Sequence, residues 1–275
     1  MHPVITFLTD FGPDAAAAIC RGVMLSIAPD AQIVDISHSV RKYAIRDGAF
    51  LLWVSLPTMP VGVHVGVVDP GVGTARRPIG IRTGRGDVLI GPDNGLLTAA
   101  AERLGGIVEA RGLENPAWLL PRVSSTFHGR DIFSPMGAHI AAGGAFEAVG
   151  PPIDVATLAR LPFPEPVVRD GGLDTSVVYV DSFGNLRFAG VPDDLAAAIG
   201  PLQPGRRLRV VFGAVDGSAP LVEVVPWATT FGEVPLGRPL VYEDSFGELA
   251  YADNQSNVAA RLEIGVDRPV RIESA

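Results

Sequence analysis

Val4–Leu8, Ile33–Ile36 and Val61–Val68 are short, almost wholly apolar runs, and the chain between them has helical spacing. Runs without polar alternation make strands that must be covered on both faces, as parallel strands flanked by helices are. Ala15–Ile27 is an Ala-rich helix closed by Pro29, and Ile45–Leu56 sets Ile45, Ala49, Leu52 and Leu56 on one helical face. Pro78–Thr83 and Val88–Gly91 read as a further strand pair, and Leu96–Leu104 and Pro135–Ala142 as helices, the latter opened by Pro135. This alternation predicts an N-terminal, mostly parallel α/β sandwich domain over residues 1–150.

The pattern then changes. Prolines at 151, 152, 162, 164 and 166 mark residues 151–172 as a stiff, Pro-rich linker. Beyond it the strand signals are short: Thr175–Val180, Arg207–Phe212, Val222–Val225, Leu240–Tyr242 and Arg261–Ile264. Gly, Pro and Asp separate them, and only Asp193–Ile199 reads as helical. Residues 173–275 are therefore expected to form a small antiparallel, β-barrel-like domain. No internal repeat is evident.

Composition removes several functions. The net charge of −8 argues against a nucleic-acid partner. Lys42 is the sole lysine, and no GK[ST] follows a Gly-rich turn, so a phosphate-binding P-loop is excluded. Cys20 has no partner cysteine, which suits a reducing, cytoplasmic compartment and the role of a small buried hydrophobe. The five histidines lack metal-ligand spacing, so no metal is expected. His38, His64 and His139 read as structural. The first residues, MHPVITFLTDFG, lack a basic region and are broken by Asp10, which argues against a signal peptide. The longest stretch free of charge, Gly48 to Val68, contains Pro57 and Pro60, so no membrane span is expected.

Ligand sites in open α/β sheets gather at the carboxyl ends of strands. Four polar segments follow predicted strands: Thr9-Asp10-Phe11-Gly12, Asp35-Ile36-Ser37-His38, Asp69-Pro70-Gly71-Val72-Gly73 with Arg76-Arg77, and Gly91-Pro92-Asp93-Asn94-Gly95. Each alone also suits a turn, but several on one sheet edge point to a site, with Asp10 and Asp69 facing one crevice. His128 lies in the polar loop Ser125–Asp131 just before a helix, where a tight turn and a catalytic group are both reasonable readings. In the second part, Asp181-Ser182-Phe183-Gly184-Asn185, Ser245-Phe246-Gly247-Glu248 and Asp253-Asn254-Gln255-Ser256-Asn257 are turn-like. The amide-rich one also suits hydrogen bonding to a purine edge.

Taken in order, TDFG, VDPGVGTxRR, GPDNG, TFHGRD, DSFGN and SFGxLxxAxNQxNxA span Ile5 to about Leu262. Together they resemble the S-adenosyl-L-methionine (SAM) hydrolases, or SAM hydroxide adenosyltransferases, relatives of the fluorinases and chlorinases. The resemblance implies hydrolysis of SAM to adenosine and L-methionine, with SAM as substrate, no cofactor, and a homotrimer whose sites lie between subunits. It implies Asp69, Arg76 and His128 as the catalytic set and Asp10 as the partner of the ribose hydroxyls. Asp181 and Ser245 would meet the amino-acid end, and Asn185 with the Asn254-Gln255 backbone would meet adenine. Phe127, Phe183 and Tyr43 would wall the pocket, Tyr43 standing where the fluorinases carry tryptophan.

The halogenating relatives line their halide pocket with a threonine and a serine, and carry a tyrosine where Asp69 stands. Here Val72 and Gly129 occupy the hydroxyl positions, which favours water as nucleophile. Two competing readings are a halide adenosyltransferase on the same scaffold and a nucleoside-binding sensor without turnover.

Overall fold

Strand β1 (Val4–Thr9) is buried over nearly its whole length, as its unbroken apolar pattern requires. It pairs in parallel with β2 (Gln32–Ser37) and β3 (Val63–Val67), each reached through a helix, α1 (Ala16–Ile27) and α2 (Ile45–Ser55). The computed structural model describes residues 2–214 and 219–275 and divides into two units, the first ending at Leu161.

The first unit continues with β4 (Pro78–Thr83), β5 (Val88–Pro92), α3 (Thr98–Arg103), β6 (Ile107–Gly112), α4 (Ser134–Ala141) and β7 (Pro152–Ile153). Its seven strands run in the order β2-β1-β3-β5-β4-β6-β7. Only the β2-β1-β3-β5 half is parallel, so the sheet is mixed rather than mostly parallel. The reason is local. Residues 84–87 are too few for a helical crossover, so β5 returns beside β4 through a tight turn in which Gly86 N donates to Thr83 O. Helix α1 packs against α4, while α2 packs against α3. Ile5, Phe7, Val63, Val65 and Val67 bury one sheet face against Cys20, Met24 and Met136. Cys20 is buried there, and burial pushes its thiol up to about 11, an unreactive value that fits the hydrophobe role.

The second unit holds β8 (Val167–Arg169), β9 (Gly172–Val180), β10 (Leu186–Phe188), α5 (Pro192–Ile199), β11 (Arg207–Phe212) and β12 (Leu221–Pro226). It ends with β13 (Pro239–Glu243), β14 (Leu249–Asp253), α6 (Val258–Leu262) and β15 (Pro269–Ser274). All its ladders are antiparallel, in the order β12-β11-β15-β9-β10-β14-β13 with β8 beside β9. A bridge from Trp227, just after β12, to Val241 in β13 brings the two ends of this path together, which makes the sheet nearly barrel-shaped. Phe188, Phe212 and Tyr251 fill its interior.

One predicted strand is absent: Arg261–Ile264 begins inside a helix. Asn257 caps α6, its Oδ1 accepting from Ala260 N at 2.7 Å, and this capping chemistry overrides a short β-branched signal. Residues 151–172 are not wholly irregular, since they contribute β7 to the first sheet and β8 to the second.

Candidate active site

Asp10 follows β1 and Asp69 lies just beyond β3, so both stand at the carboxyl edge of the parallel half-sheet. A cleft of about 110 Å3 there is lined by Asp10, Tyr43, Asp69, Val72, Phe127, His128 and Gly129, among others. Arg76 lies against Asp69: Nε donates to Oδ1 at 3.1 Å, and Nη2 donates to Oδ2. Both side chains are nearly buried, at 7% and 5% exposure, so the pair is held in place rather than dissolved in water. Arg76 Nη2 also lies 3.1 Å from His128 Nδ1. A guanidinium only donates, so Nδ1 accepts and the neutral ring carries its proton on Nε2. Burial, then the Arg76 charge, hold the His128 pKa below the ordinary histidine value, against the opposing pull of Asp69 and Asp131.

Asp10 is set from the loop after β2. Its Oδ2 accepts from Tyr43 N at 2.9 Å, and its carbonyl accepts from Lys42 Nζ at 2.7 Å. Tyr43 reaches this geometry in the left-handed region, at φ 66°, and leaves its ring 71% exposed. Phe127 meets Phe11 edge to face at 5.7 Å. Gly129 has little latitude: a Cβ there would lie 2.8 Å from the Phe11 ring, so a serine would not fit without a shift.

The loops carrying Asp69 and His128 touch at Gly73. Its φ is +75°, and a Cβ would sit 2.2 Å from Ser125 O. Gly73→Ala is expected to cost about 1–3 kcal/mol and to lower activity by about tenfold or more. A thermal melt and a turnover assay check it; unchanged values in both would refute the contact.

A second cleft, of about 1200 Å3, lies in the second unit and includes Asp181, Phe183, Asn185, Ser245, Asn254 and Gln255. Here the Asp181 carboxylate is occupied. Its Oδ1 accepts from Phe183 N and Asn185 N, and its Oδ2 from Asn185 Nδ2, all at 2.9 Å. That leaves the amide oxygen of Asn185 as the free edge of that side chain. The Phe183 ring is 76% exposed. Asn254 turns inward, donating Nδ2 to Val234 O at 2.8 Å, and Gln255 adopts φ 55°.

The Asp181 turn has a twin. Asp244 Oδ1 accepts from Phe246 N at 2.7 Å and Glu248 N at 3.1 Å, and Gly247 has the same φ of 84° as Gly184. The tetrapeptide DSFG thus occurs twice, a local repeat that the sequence reading passed over. That reading also missed Arg187, Tyr242 and Asp244, which line this cleft. Arg187 Nη1 lies 2.6 Å from Asp244 Oδ2, with its guanidinium over the Phe246 ring. No sequence signal marked Arg187: it sits in the short strand β10, which begins after Asn185, and a lone arginine there carries no motif. Burial, reinforced by the Asp181 charge, pushes the Tyr242 hydroxyl up to about 12, so it stays a neutral hydrogen-bonding group.

Of the predicted residues, Asp10, Tyr43, Asp69, Phe127 and His128 converge on the first cleft with Arg76 bonded to Asp69. The other six line the second. Among the described residues, no group of His, Cys, Asp or Glu is arranged to hold a metal ion, and no helix is long and apolar enough to cross a membrane.

Residues 5–150 match the family model for the SAM hydroxide adenosyltransferase N-terminal domain, and residues 175–271 match that for its C-terminal domain. The chain belongs to the SAM hydroxide adenosyltransferase family. Its relatives include an (R)-S-adenosyl-L-methionine hydrolase from Salinispora arenicola, 41% identical over 98% of this chain and 97% of that protein. A protein of the same name from Thermus thermophilus is 37% identical over 99% of this chain and all of its own. A fluorinase from an Actinoplanes species is 32% identical over 94% of this chain and 93% of its own. The crystal structure of an uncharacterized conserved protein from Thermotoga maritima superposes with a TM-score of 0.88 at 33% identity, covering 98% of this chain and 99% of that one. Within the SAM hydroxide adenosyltransferase family, then, this chain carries Asp69, Arg76 and His128 as one hydrogen-bonded set.

Proposed function

We propose that this protein hydrolyses SAM to adenosine and L-methionine by in-line attack of water on the ribose 5′ carbon. The observation that carries this reading is the Asp69–Arg76–His128 set beside a cleft that offers Val72 and Gly129 where a halide would need hydroxyl groups.

The water oxygen bonds to the 5′ carbon as the carbon–sulfur pair returns to sulfur, and methionine departs as a neutral thioether. No acid is needed for that leaving group. The attacking water becomes an oxonium, which is strongly acidic, so the Asp69 carboxylate suffices as acceptor even while paired with Arg76. His128, with its proton on Nε2, donates toward the water oxygen and orients it. Asp10 accepts from the ribose hydroxyls. The faces of Tyr43, Phe127 and Phe183 suit the sulfonium and the adenine. Asn185 offers its amide oxygen to the adenine amino group, with Gln255 and the Asn254 backbone completing that edge. Asp181 and Ser245 receive the amino-acid end, Asp181 chiefly by shaping the turn that its own bonds hold.

Ribose-side and amino-acid-side groups are divided between the two units, which agrees with a homotrimer that completes each site from two subunits. We place the enzyme in the cytoplasm, working on SAM without a cofactor.

The test is direct. Incubation of the purified protein with SAM in 18O-water should yield methionine and adenosine with the label in its 5′ hydroxyl, and added chloride or fluoride should not produce a 5′-halo-adenosine. No adenosine above a no-enzyme control would defeat the hydrolase reading.

A further inference from the structure

The TFHGRD segment has two members that the reaction above does not use, Arg130 and Asp131. Asp131 is a fully buried carboxylate. Its Oδ2 accepts from Ser124 N at 2.8 Å, and its carbonyl accepts from Leu120 N at 3.1 Å. Arg130 closes on it, Nε to Oδ1 at 2.6 Å and Nη2 to Oδ2 at 3.0 Å, with its guanidinium 5.0 Å from the centre of the Phe127 ring. Asp131 thus ties the chain before His128 to the chain after it.

The backbone there is unusual. Gly129–Phe133 forms a π-turn closed by Ser134 N, which donates to Gly129 O, with Ser134 Oγ donating to the same carbonyl at 2.7 Å; just ahead of it, Arg130 N and Asp131 N both donate to Phe127 O at 3.1 Å. His128 is the residue that heads this turn, and single π-turns of this kind are frequent at functional sites. Such a turn needs outside support, and a loop held only for stability could use apolar packing. Instead the support is a buried charge with one counter-ion.

We propose that Asp131, with Arg130 as its counter-ion, is the positioning residue that aims His128 at Arg76. Asp131 does not hydrogen-bond His128; it acts through the loop and through its field. The groups facing His128 are Arg76 and Asp69 on the loop after β3, Asp10 and Tyr43 across the cleft, and Asp131 on its own turn. Burial and Arg76 disfavour the imidazolium, and Asp69 and Asp131 favour it. The neutral ring is required, because a protonated His128 would lose its bond from Arg76. Removing the Asp131 charge should therefore lower the His128 titration midpoint and move the acid limb of turnover to lower pH.

The inference rests on the hydrolase reading for its kinetic arm and stands apart from it for the other. NMR titration of the His128 ring in the full chain is the second arm. For Asp131→Asn, the midpoint should fall by about half a pH unit, with the acid limb of kcat following it. At its optimum, kcat should drop about 10- to 100-fold while KM for SAM stays within about threefold. Arg130→Gln frees the Asp131 charge and should move the midpoint upward. Midpoints within ~0.1 unit of wild type in both variants would overturn the proposal, as would a lowered melting temperature with an unchanged pH profile. If Asp131→Asn does not fold, Arg130→Gln decides alone, an unmoved midpoint refuting the claim. If the wild-type protein forms no adenosine, the hydrolase reading fails while the ring titration still decides the role of Asp131.

Discussion

Asp69→Asn is expected to lower turnover of SAM by about 10²- to 10⁴-fold while leaving KM within about threefold. The amide keeps the shape of the carboxylate and loses two things. It cannot take a proton from the attacking water, and it presents an N–H to Arg76, a group that only donates. Arg76 is then left nearly buried without its counter-charge, so a modest fall in melting temperature should accompany the kinetic loss. The check is kcat and KM by chromatography of adenosine, read beside a melt. A kcat within threefold of wild type, in a folded variant, would remove Asp69 from the mechanism.

Asp87→Ala should cause the largest loss of stability, about 3–5 kcal/mol, seen as a melting temperature lower by roughly 10 °C or more. His64 and Asp87 are both buried in the first unit. Thr6 Oγ1 meets His64 Nδ1 at 2.9 Å, and His64 Nε2 meets Asp87 Oδ1 at 2.9 Å. Arg85 closes the chain through Nε and Nη2 at 2.7 and 2.9 Å. Removing the carboxylate strands a buried imidazole and takes the counter-charge from Arg85, whose guanidinium keeps only the Leu56 and Pro57 carbonyls. Burial opposes ionisation of Asp87, yet the bonds from His64 and Arg85 outweigh it and hold its pKa far below the usual carboxylate range. A depressed pKa contributes stability that is complete above the unfolded value and lost as pH falls toward the folded one. The gap between wild type and variant should therefore be constant through neutral pH and close only below about pH 4. Melts at a series of pH values decide it; a gap that closes well above pH 4 would refute the assignment to Asp87.

His64 shows how far local reading reaches. Its place in an apolar strand already marked it as a core residue needing partners, and it has them. The partners themselves are 58 and 23 residues away, and no periodicity announces pairings of that kind. The same limit applies at the site. Asp10 and Asp69 were legible as strand-end carboxylates, because topology alone carries them to one sheet edge. His128 was ambiguous between turn and catalysis, and its bond to Arg76, 52 residues away, is what distinguishes it. In the second unit, Arg187 escaped notice because a lone arginine on a strand carries no motif; its neighbours across the cleft give it meaning.

Local chemistry in the sequence determined most of the elements, since apolar period, helix caps and turn residues act over a few positions. It also placed the motifs by which the family is recognised. The tertiary structure decided what depends on distant strands meeting. It put β5 beside β3 and β6 beside β4 in the first sheet, and it brought Arg187 to Asp244 in the second cleft, because such pairings join residues that no local signal links. It also set the His128 proton on Nε2, because the group delivered beside Nδ1 can only donate.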